Sequence, residues 1–246
     1  MEAYTCFAQV YDLFMDNVPY EEWAIFLKKQ FNKYGIKKGT LLDLGCGTGK
    51  LSRLMADKGY DVIGVDLSTD MLEIAQENND KEILYLKQDM CQLDLIEPVD
   101  GIYSACDSLN YILEEEALMN VFKKVNEFLK EKGLFIFDIN TEYKYKELMA
   151  DNIFAENREE GSFIWENYFD YEEEINEYDL TLYIKDGDGL YQRYEETHFE
   201  KYYSYITVAG LLRKAGFETL GVYDDYTEDN IKSETERIVI VARKIN

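Results

Sequence analysis

Hydrophobic positions along the middle of the chain follow two alternating spacings. Short runs of consecutive apolar residues, typical of buried strands, occur at 40–44, 61–65, 83–87, 99–104 and 133–139. Segments with apolar residues three or four positions apart, typical of helices, lie at 50–58, 69–78 and 114–131. This alternation predicts an α/β fold with a parallel sheet, helices on both faces and right-handed crossovers. Ligands of such sheets bind at the carboxyl ends of the strands.

The first 35 residues carry apolar side chains at helical spacing. The first amphipathic segment contains Tyr4, Phe7, Tyr11, Phe14 and Met15. Pro19 interrupts this segment, and a second helix is predicted over residues 20–34. Both helices are expected to pack on the core.

After residue 140 the pattern changes to a spacing of two. Aromatic and polar residues alternate at 163–169, 178–184 and 190–194, and residues 186–189 are a strong hairpin signal. The pattern predicts a small antiparallel sheet, inserted at residues 150–205, that lies over the carboxyl edge of the main sheet. A helix at 206–215 and strands at 217–224 and 236–243 then complete a core domain made of residues 1–149 and 206–246.

The chain of 246 residues has a formal net charge of −24. Because Lys and Arg supply most of the affinity for nucleic acids, we expect no nucleic-acid partner. Residues 151–200 hold sixteen acidic side chains and three basic ones, which would suit a small neutral or cationic substrate. Solubility alone is also a sufficient reason for this acidity.

The rest of the composition indicates where in the cell the protein is located and whether its cysteines form disulfides or bind a metal. There is no run of about eighteen apolar residues and no leader sequence, so we expect a cytoplasmic protein with no membrane span. The four cysteines are widely spaced and lack metal-ligand pairing, so reduced thiols and no bound metal are expected. The sequence is compatible with a monomer or a homodimer.

A glycine-rich turn follows the first predicted strand. Gly45, Gly47 and Gly49 allow the backbone to turn tightly and a ligand to approach it closely. The helix that follows directs its unpaired N–H groups at this turn. Asp66 ends the second strand 21 residues after Gly45, about the spacing at which a βαβ nucleotide site places its ribose-binding acid. The alternative is a turn that merely packs the helix on the strand.

The residues after the turn narrow the choice of nucleotide. Lys50 stands where the dinucleotide fingerprint requires a glycine, which weakens the interpretation of the chain as an NAD-dependent dehydrogenase. The spacing also leaves no room for a phosphate-binding Walker loop. Residues 42–49 closely resemble the first motif of the class I S-adenosylmethionine-dependent methyltransferases. The resemblance covers roughly residues 37–140 and the C-terminal segment.

This resemblance implies a Rossmann-like, doubly wound sheet of seven strands whose last strand is antiparallel, with S-adenosylmethionine as the cofactor. It implies that Asp66 accepts hydrogen bonds from the ribose hydroxyls and that Leu67 and Met71 enclose the adenine. Asp89 would accept from the adenine amino group, beside the Met90 backbone N–H. A loop Asp that caps a turn is the alternative for Asp89.

Further implied contacts complete the cofactor site. Asp43 would hold the glycine turn or the cofactor's amino group, and Gly45 and Gly47 would form the turn itself. Cys46 and Cys106 are expected near the cofactor as small buried residues. Tyr4 and Tyr11 are candidates for the methionine end, because similar segments cover the cofactor in related small-molecule methyltransferases.

Residues after the fourth strand should lie where the methyl group is presented. Asp107 or Asn110 would orient an incoming amine or the methionine group, and Asn110 would equally serve as a helix cap. His198, the single histidine, is the candidate catalytic base, since an imidazole can accept a proton near neutral pH. A structural hydrogen bond is the alternative for His198.

The function expected from the resemblance is methyl transfer by in-line displacement to a small molecule, an amine in the first instance. The inserted region is similar to the cap of glycine and sugar N-methyltransferases. An RNA or protein methyltransferase, or a non-catalytic S-adenosylmethionine-binding protein, stays open as an alternative.

Overall fold

Seven strands form one mixed sheet, and four more form a separate antiparallel sheet. The computed structural model describes residues 7–245; the expected contact of Tyr4 lies outside this range. The helices are α1 Ala8–Phe14, α2 Tyr20–Lys33, α3 Lys50–Asp57, α4 Thr69–Glu77, α5 Glu115–Phe128 and α6 Tyr205–Lys214. The strands are β1 Thr40–Leu44, β2 Asp61–Asp66, β3 Leu84–Lys87, β4 Val99–Ser104, β5 Leu129–Asn140, β6 Ile153–Asn157, β7 Gly161–Asp170, β8 Ile175–Lys185, β9 Tyr191–Lys201, β10 Phe217–Asp224 and β11 Arg237–Lys244.

The large sheet has the order β10-β11-β5-β4-β1-β2-β3. Strands β1 to β5 pair in parallel, whereas β11 runs antiparallel to both β5 and β10. The doubly wound sheet with an antiparallel last strand is therefore confirmed. Because β1 lies between β2 and β4, its carboxyl end opens between two parallel neighbours, where ligands of such sheets bind.

Apolar side chains fill both faces of this sheet. Phe122 of α5 and Leu212 of α6 are fully buried on one face, and Phe31 of α2 and Met55 of α3 are fully buried on the other. Burying such a side chain contributes about 1.5–3 kcal/mol relative to leaving it exposed. The helical spacing of the sequence thus positions α2 and α3 beside the glycine turn.

The four-stranded sheet, here called the cap sheet, comprises β6 to β9 and lies within residues 153–201. Leu180 and Leu182 on its inner face pack on Val10 and Phe14 of α1. The Arg158 side chain donates to the Leu13 carbonyl of α1 at 2.6 Å, which adds a hydrogen bond to this apolar contact. Helix α1 therefore lies against the cap sheet. The division into a core and an insertion at residues 150–205 stays a prediction.

Several boundaries differ from the predicted ones. Helix α5 ends at Phe128 instead of residue 131, because Leu129 already pairs with Val99 at the start of β5. Strand β6 was not predicted: its apolar residues Ile153 and Phe154 are exposed, so no alternating pattern marks it. A π-helical turn at Lys144–Met149 was also missed.

Within residues 7–245, the helices are too short or too polar to cross a membrane.

Candidate active site

A cavity of about 550 Å³ lies at the carboxyl ends of β1, β2 and β4, beside the loop that follows β3. Its lining residues are Tyr11, Tyr20, Asp43, Gly45, Cys46, Gly47, Thr48, Lys50, Leu51, Val65, Asp66, Leu67, Ser68, Met71, Gln88, Asp89, Met90, Ala105, Cys106, Ser108, Tyr111 and Ile112. Besides helices α1 to α4, these residues come from the glycine turn, the end of β2, the loop after β3 and the segment after β4, and all four of these segments lie at the carboxyl end of a parallel strand. With the exception of Tyr4, each residue expected at the cofactor site lines this one cavity.

The glycine turn is held against the second strand by its backbone. The amides of Gly45 and Cys46 both donate to the Val65 carbonyl, at 2.8 and 3.0 Å. Gly49 has φ +72°, and a Cβ there would lie 2.2 Å from the Tyr85 hydroxyl oxygen. Gly47 has φ +52°, yet a Cβ there would meet no atom within 4 Å. The lack of a side chain at Gly49 thus allows Tyr85 to pack closely against the turn, whereas Gly47 borders open space in the cavity.

Asp66 ties the turn to the end of β2. Its Oδ2 accepts from the Gly47 amide at 2.8 Å and its Oδ1 accepts from the Ser68 amide at 2.9 Å. Burial raises the pKa of this carboxyl, and these backbone bonds partly offset the shift. A carboxylate offers about four acceptor positions, so each oxygen can still accept from a ligand hydroxyl.

Asp43 lies beneath the turn and is 2% exposed. Its Oδ2 accepts from the Ser52 hydroxyl at 2.5 Å, which joins β1 to α3. Burial raises the pKa of Asp43 to about 7, and the charge of Asp66 adds to the shift.

The loop after β3 supplies the next part of the wall. Asp89 lines the cavity and also caps a short 3₁₀ turn, since its Oδ1 accepts from the Cys91 amide at 2.8 Å. Both interpretations of Asp89 are therefore compatible with the structure. Met71 is buried at the cavity wall, whereas Leu67 is 58% exposed there.

Helix α1 covers one side of the cavity. The Thr48 hydroxyl donates to Oδ1 of Asp12 at 2.8 Å, which fastens α1 to the glycine turn. The Tyr11 hydroxyl lies 3.7 Å from the Cys106 sulfur, across the cavity wall. The helix therefore both packs on the cap sheet and contributes Tyr11 to the cavity.

His198 is buried and does not line the cavity. Its Nδ1 lies 3.5 Å from the hydroxyl oxygen of Tyr111, which does line it. Its Nε2 lies 3.2 Å from Oε2 of buried Glu196, whose Oε1 accepts from the Phe7 amide at 2.9 Å. His198 therefore contacts the lining residue Tyr111 and does not itself form part of the cavity wall, and its role as a catalytic base stays a prediction.

The cap sheet does not line the cavity. All of the cavity's lining residues among residues 7–245 lie between Tyr11 and Ile112, so the cap sheet contributes none of them. Of the sixteen acidic residues at 151–200, only Glu196 and Glu200 are buried. Most of this acidity therefore faces solvent, as the solubility interpretation predicts.

A buried ion-pair network was missed by sequence reasoning. Cys106 and Asp107 adopt the left-handed conformation, with φ +61° and +53°, at the cavity edge. Arg237 binds the carboxylates of both Asp107 and Asp138, and the Tyr226 hydroxyl donates to Asp138 at 2.8 Å. Burial raises the pKa of Asp107, but Arg237 outweighs it and lowers the pKa to about 2.

Asn110 joins the main sheet to the cap sheet. Its Nδ2 donates to the Lys201 carbonyl at 2.8 Å, and its Oδ1 accepts from the Asn140 amide at 3.1 Å. It is fully buried and does not line the cavity, so it is neither a helix cap nor a ligand contact in this structure.

Comparisons with known proteins agree with the class that this strand order and glycine turn define. A family model described as a methyltransferase domain matches residues 41–133. A protein of Geobacillus sp. (strain WCH70), described as a candidate methyltransferase, is 37% identical over 98% of this chain and 100% of its own length. The chain therefore belongs to the S-adenosylmethionine-dependent methyltransferase family, and S-adenosylmethionine is its cofactor.

Solved structures support the same assignment. An S-adenosylmethionine-dependent methyltransferase from Clostridium acetobutylicum ATCC 824 is 30% identical, with a TM-score of 0.89 and coverage of 100% of both chains. An amino pentose methyltransferase from Micromonospora echinaspora, solved with S-adenosylmethionine bound, has a TM-score of 0.76. At 14% identity over 99% of this chain and 98% of its own, the latter shows the shared fold alone.

Proposed function

We propose that this methyltransferase acts on a small molecule that carries an amine. The observation that carries the proposal is the hydroxyl of cavity-lining Tyr111 in contact with buried His198, which in turn contacts Glu196. A proton can leave the cavity along these three side chains, which contact one another in order. A protonated amine must lose a proton before its lone pair can attack a methyl group.

The residues at the cavity fit S-adenosylmethionine. Asp66 retains acceptor positions for ribose hydroxyls, and the sulfur of Met71 offers a soft surface for adenine. Other residues proposed to hold the cofactor are Tyr11, Asp43, Gly45, Cys46, Gly47, Leu67, Asp89, Met90 and Cys106. When bound, S-adenosylmethionine supplies an electrophilic methyl group on a sulfonium.

In the proposed methyl transfer the protein aligns the two reactants and excludes water. Helix α1 is fastened over the glycine turn by the Thr48–Asp12 hydrogen bond and supported behind by the cap sheet. Holding two reactants in line can supply about 7–11 kcal/mol of a barrier. The cap sheet therefore acts by holding α1 and Tyr111 in place.

Proton removal follows from the order of the three groups. The Glu196 carboxylate beside Nε2 favours the tautomer whose Nε2 carries hydrogen, which leaves Nδ1 as the acceptor. The amine's proton moves to the Tyr111 oxygen as the tyrosine's own proton moves to Nδ1 of His198. Tyr111 is thus the proposed catalytic residue, and His198 and Glu196 position it and hold the proton.

The size and charge of the protein favour a small acceptor. The cavity of about 550 Å³, which the cofactor and the acceptor would share, is within the range of roughly 300–1,000 Å³ typical of small-molecule sites. The net charge of −24 opposes binding to RNA. The amino pentose methyltransferase with the same fold acts on an amine-bearing sugar by its name, which supports the proposal without identifying the acceptor.

The test uses methyl-labelled S-adenosylmethionine with a panel of small amines and matched alcohols. We expect label in N-methyl products with wild type and none with Asp66→Ala. Label only in oxygen-methylated products would overturn the amine proposal. Label only in added RNA or protein would support a macromolecular acceptor, and cofactor binding with no product would support the non-catalytic alternative.

A second experiment tests the proton path once an amine is labelled. In Tyr111→Phe we expect kcat/KM to fall most at low pH, where the amine is protonated, and to recover partly at high pH. A loss that is equal at all pH values would contradict the proton role. Cytoplasmic location and a monomeric or homodimeric state remain predictions, the latter testable by light scattering.

A further inference from the structure

Lys50 stands where the dinucleotide fingerprint requires a glycine, and it begins helix α3. It also lines the cavity. Among the lining residues found within residues 7–245, it is the single Lys or Arg, whereas three carboxyl groups line the same cavity: Asp43, Asp66 and Asp89. One cationic side chain in an otherwise acidic cavity has a specific electrostatic consequence for any ligand that carries a negative group.

The surroundings restrict where the Lys50 ammonium lies. Its Nζ lies 4.8 Å from the centre of the Tyr20 ring, and Tyr20 is buried and lines the same cavity. A cation over an aromatic face is attracted to the ring's negative potential. The neighbouring Arg53 donates to the Thr48 carbonyl at 2.9 Å and does not line the cavity. Lys50 is therefore the cation available to a ligand there.

We infer that Lys50 binds the α-carboxylate of the methionine part of S-adenosylmethionine. The inference rests on the proposed placement of the adenosine beside Asp66 and Asp89. With the adenosine there, the methionine part extends toward the side of the cavity formed by α1, α2 and α3. The ligand's carboxylate would otherwise enter an acidic cavity of a protein with net charge −24 without a counter-ion.

The same residue explains selectivity between nucleotides. The dinucleotide fingerprint places a glycine at this position so that the helix packs closely on the strand, and Lys50 does not meet that requirement. The lysine in return offers a charge-assisted hydrogen bond to a carboxylate, which is about twice as strong as a neutral one. The exchange of one residue thus changes the ligand that the turn favours.

The test compares two ligands that differ only in the carboxylate. S-adenosylhomocysteine carries it, and S-adenosyl-3-thiopropylamine lacks it. By titration calorimetry we expect Lys50→Met to weaken S-adenosylhomocysteine binding about tenfold to a hundredfold and to leave the carboxylate-free ligand within about twofold. Lys50→Arg should retain most of the affinity, because it keeps the charge.

The control is Lys81→Met. Lys81 lies in an outer groove, is paired with Asp57 at 2.8 Å, and does not line the cavity. The Lys81→Met variant removes the same charge at a place outside the cavity, so it should leave the affinities for both ligands within about twofold. Thermal melting of each variant checks the fold, and Lys50→Gln replaces Lys50→Met if the latter melts early.

The outcomes separate this inference from the proposals beneath it. Unchanged affinity for S-adenosylhomocysteine in the Lys50 variants, or an equal loss for both ligands, overturns the role of Lys50 alone. Wild-type protein that binds neither ligand, or Asp66→Ala that binds as wild type does, overturns the placement of the cofactor.

Discussion

The Nη2 atom of Arg237 donates a hydrogen bond of 2.8 Å to Oδ1 of Asp107. This contact joins the first residue of the last strand to a left-handed turn at the cavity edge. The Asp107 amide donates to Asp138 at 2.9 Å, and Arg237 binds Asp138 as well. Left-handed conformations of non-glycine residues persist when surrounding contacts determine them. The pair therefore holds in place the wall that carries Cys106.

Arg237→Met should destabilise the protein by about 3–5 kcal/mol, because it leaves the buried carboxylate of Asp138 and the partly buried one of Asp107 without their cation. The matched control is Arg243→Met, whose partner Glu218 is 43% exposed; it should cost about 0–1 kcal/mol. Urea unfolding at pH 7 measures both. Equal losses in the two variants would contradict the role assigned to the buried network.

Glu200 should make stability depend on pH. Burial, with a smaller contribution from the charge of Asp107, raises the pKa of Glu200 to about 8. Between the unfolded pKa near 4.5 and this value, the folded state keeps a proton that the unfolded state has lost. The contribution of Glu200 to stability is therefore complete at low pH and is lost as pH rises toward 8.

Glu200→Gln keeps an acceptor for Tyr145 and Asn140 without titrating. We expect its free energy of unfolding, relative to wild type, to rise by about 1.4 kcal/mol per pH unit between pH 5 and pH 8. Chemical unfolding at several pH values measures this difference. A difference that stays constant with pH would show that Glu200 is ionised in the folded protein.

Two glycines of the turn should differ in their tolerance of alanine. Gly47→Ala should cost about 1–2 kcal/mol, from the left-handed backbone alone, since its Cβ meets no atom within 4 Å. Gly49→Ala should cost more, because its Cβ would also lie 2.2 Å from the Tyr85 hydroxyl. Melting temperatures of the two variants test the order, and a less stable Gly47→Ala would contradict it.

The hydrogen bond between Thr48 and Asp12 should control how firmly α1 closes over the cavity. Thr48→Val keeps the shape of the side chain but removes the hydrogen bond, so it should lower the free energy of unfolding by about 1 kcal/mol. Hydrogen exchange in residues 8–14 should become faster, and S-adenosylhomocysteine should dissociate faster. Unchanged rates would mean that the cap sheet alone holds the helix.

The sequence predicted the main sheet and the wall of the cavity well because both follow from local pattern. The glycine turn and Asp66 lie within 21 residues of each other, in one strand–helix–strand unit. In such a unit the parallel arrangement brings the carboxyl ends of the strands to one edge. That rule places Gly47 and Asp66 at one cavity, whereas Asp43 and Met71 were expected there from the resemblance to the methyltransferase family.

The last cap strand shows what hydropathy does not determine. Hydropathy alone would turn Phe199 inward, yet Phe199 is 42% exposed. Glu196, His198 and Glu200, which alternate with it, are buried instead. Alternation determines which residues share a face of a strand, but the partners on the other side decide which face is covered. Here those partners are Tyr111, Tyr145 and the backbone amide of Phe7, which immediately precedes α1.

The sequence by itself determined the class of fold and, through the motif that resembles a known family, the cofactor, because both depend on residue types at short, fixed spacings. Only the tertiary structure decided that His198 reaches the cavity through Tyr111 and that Arg237 holds Asp107. The residues of these pairs are 87 and 130 positions apart. Contacts at that separation depend on how whole sheets and helices pack, which no local spacing encodes.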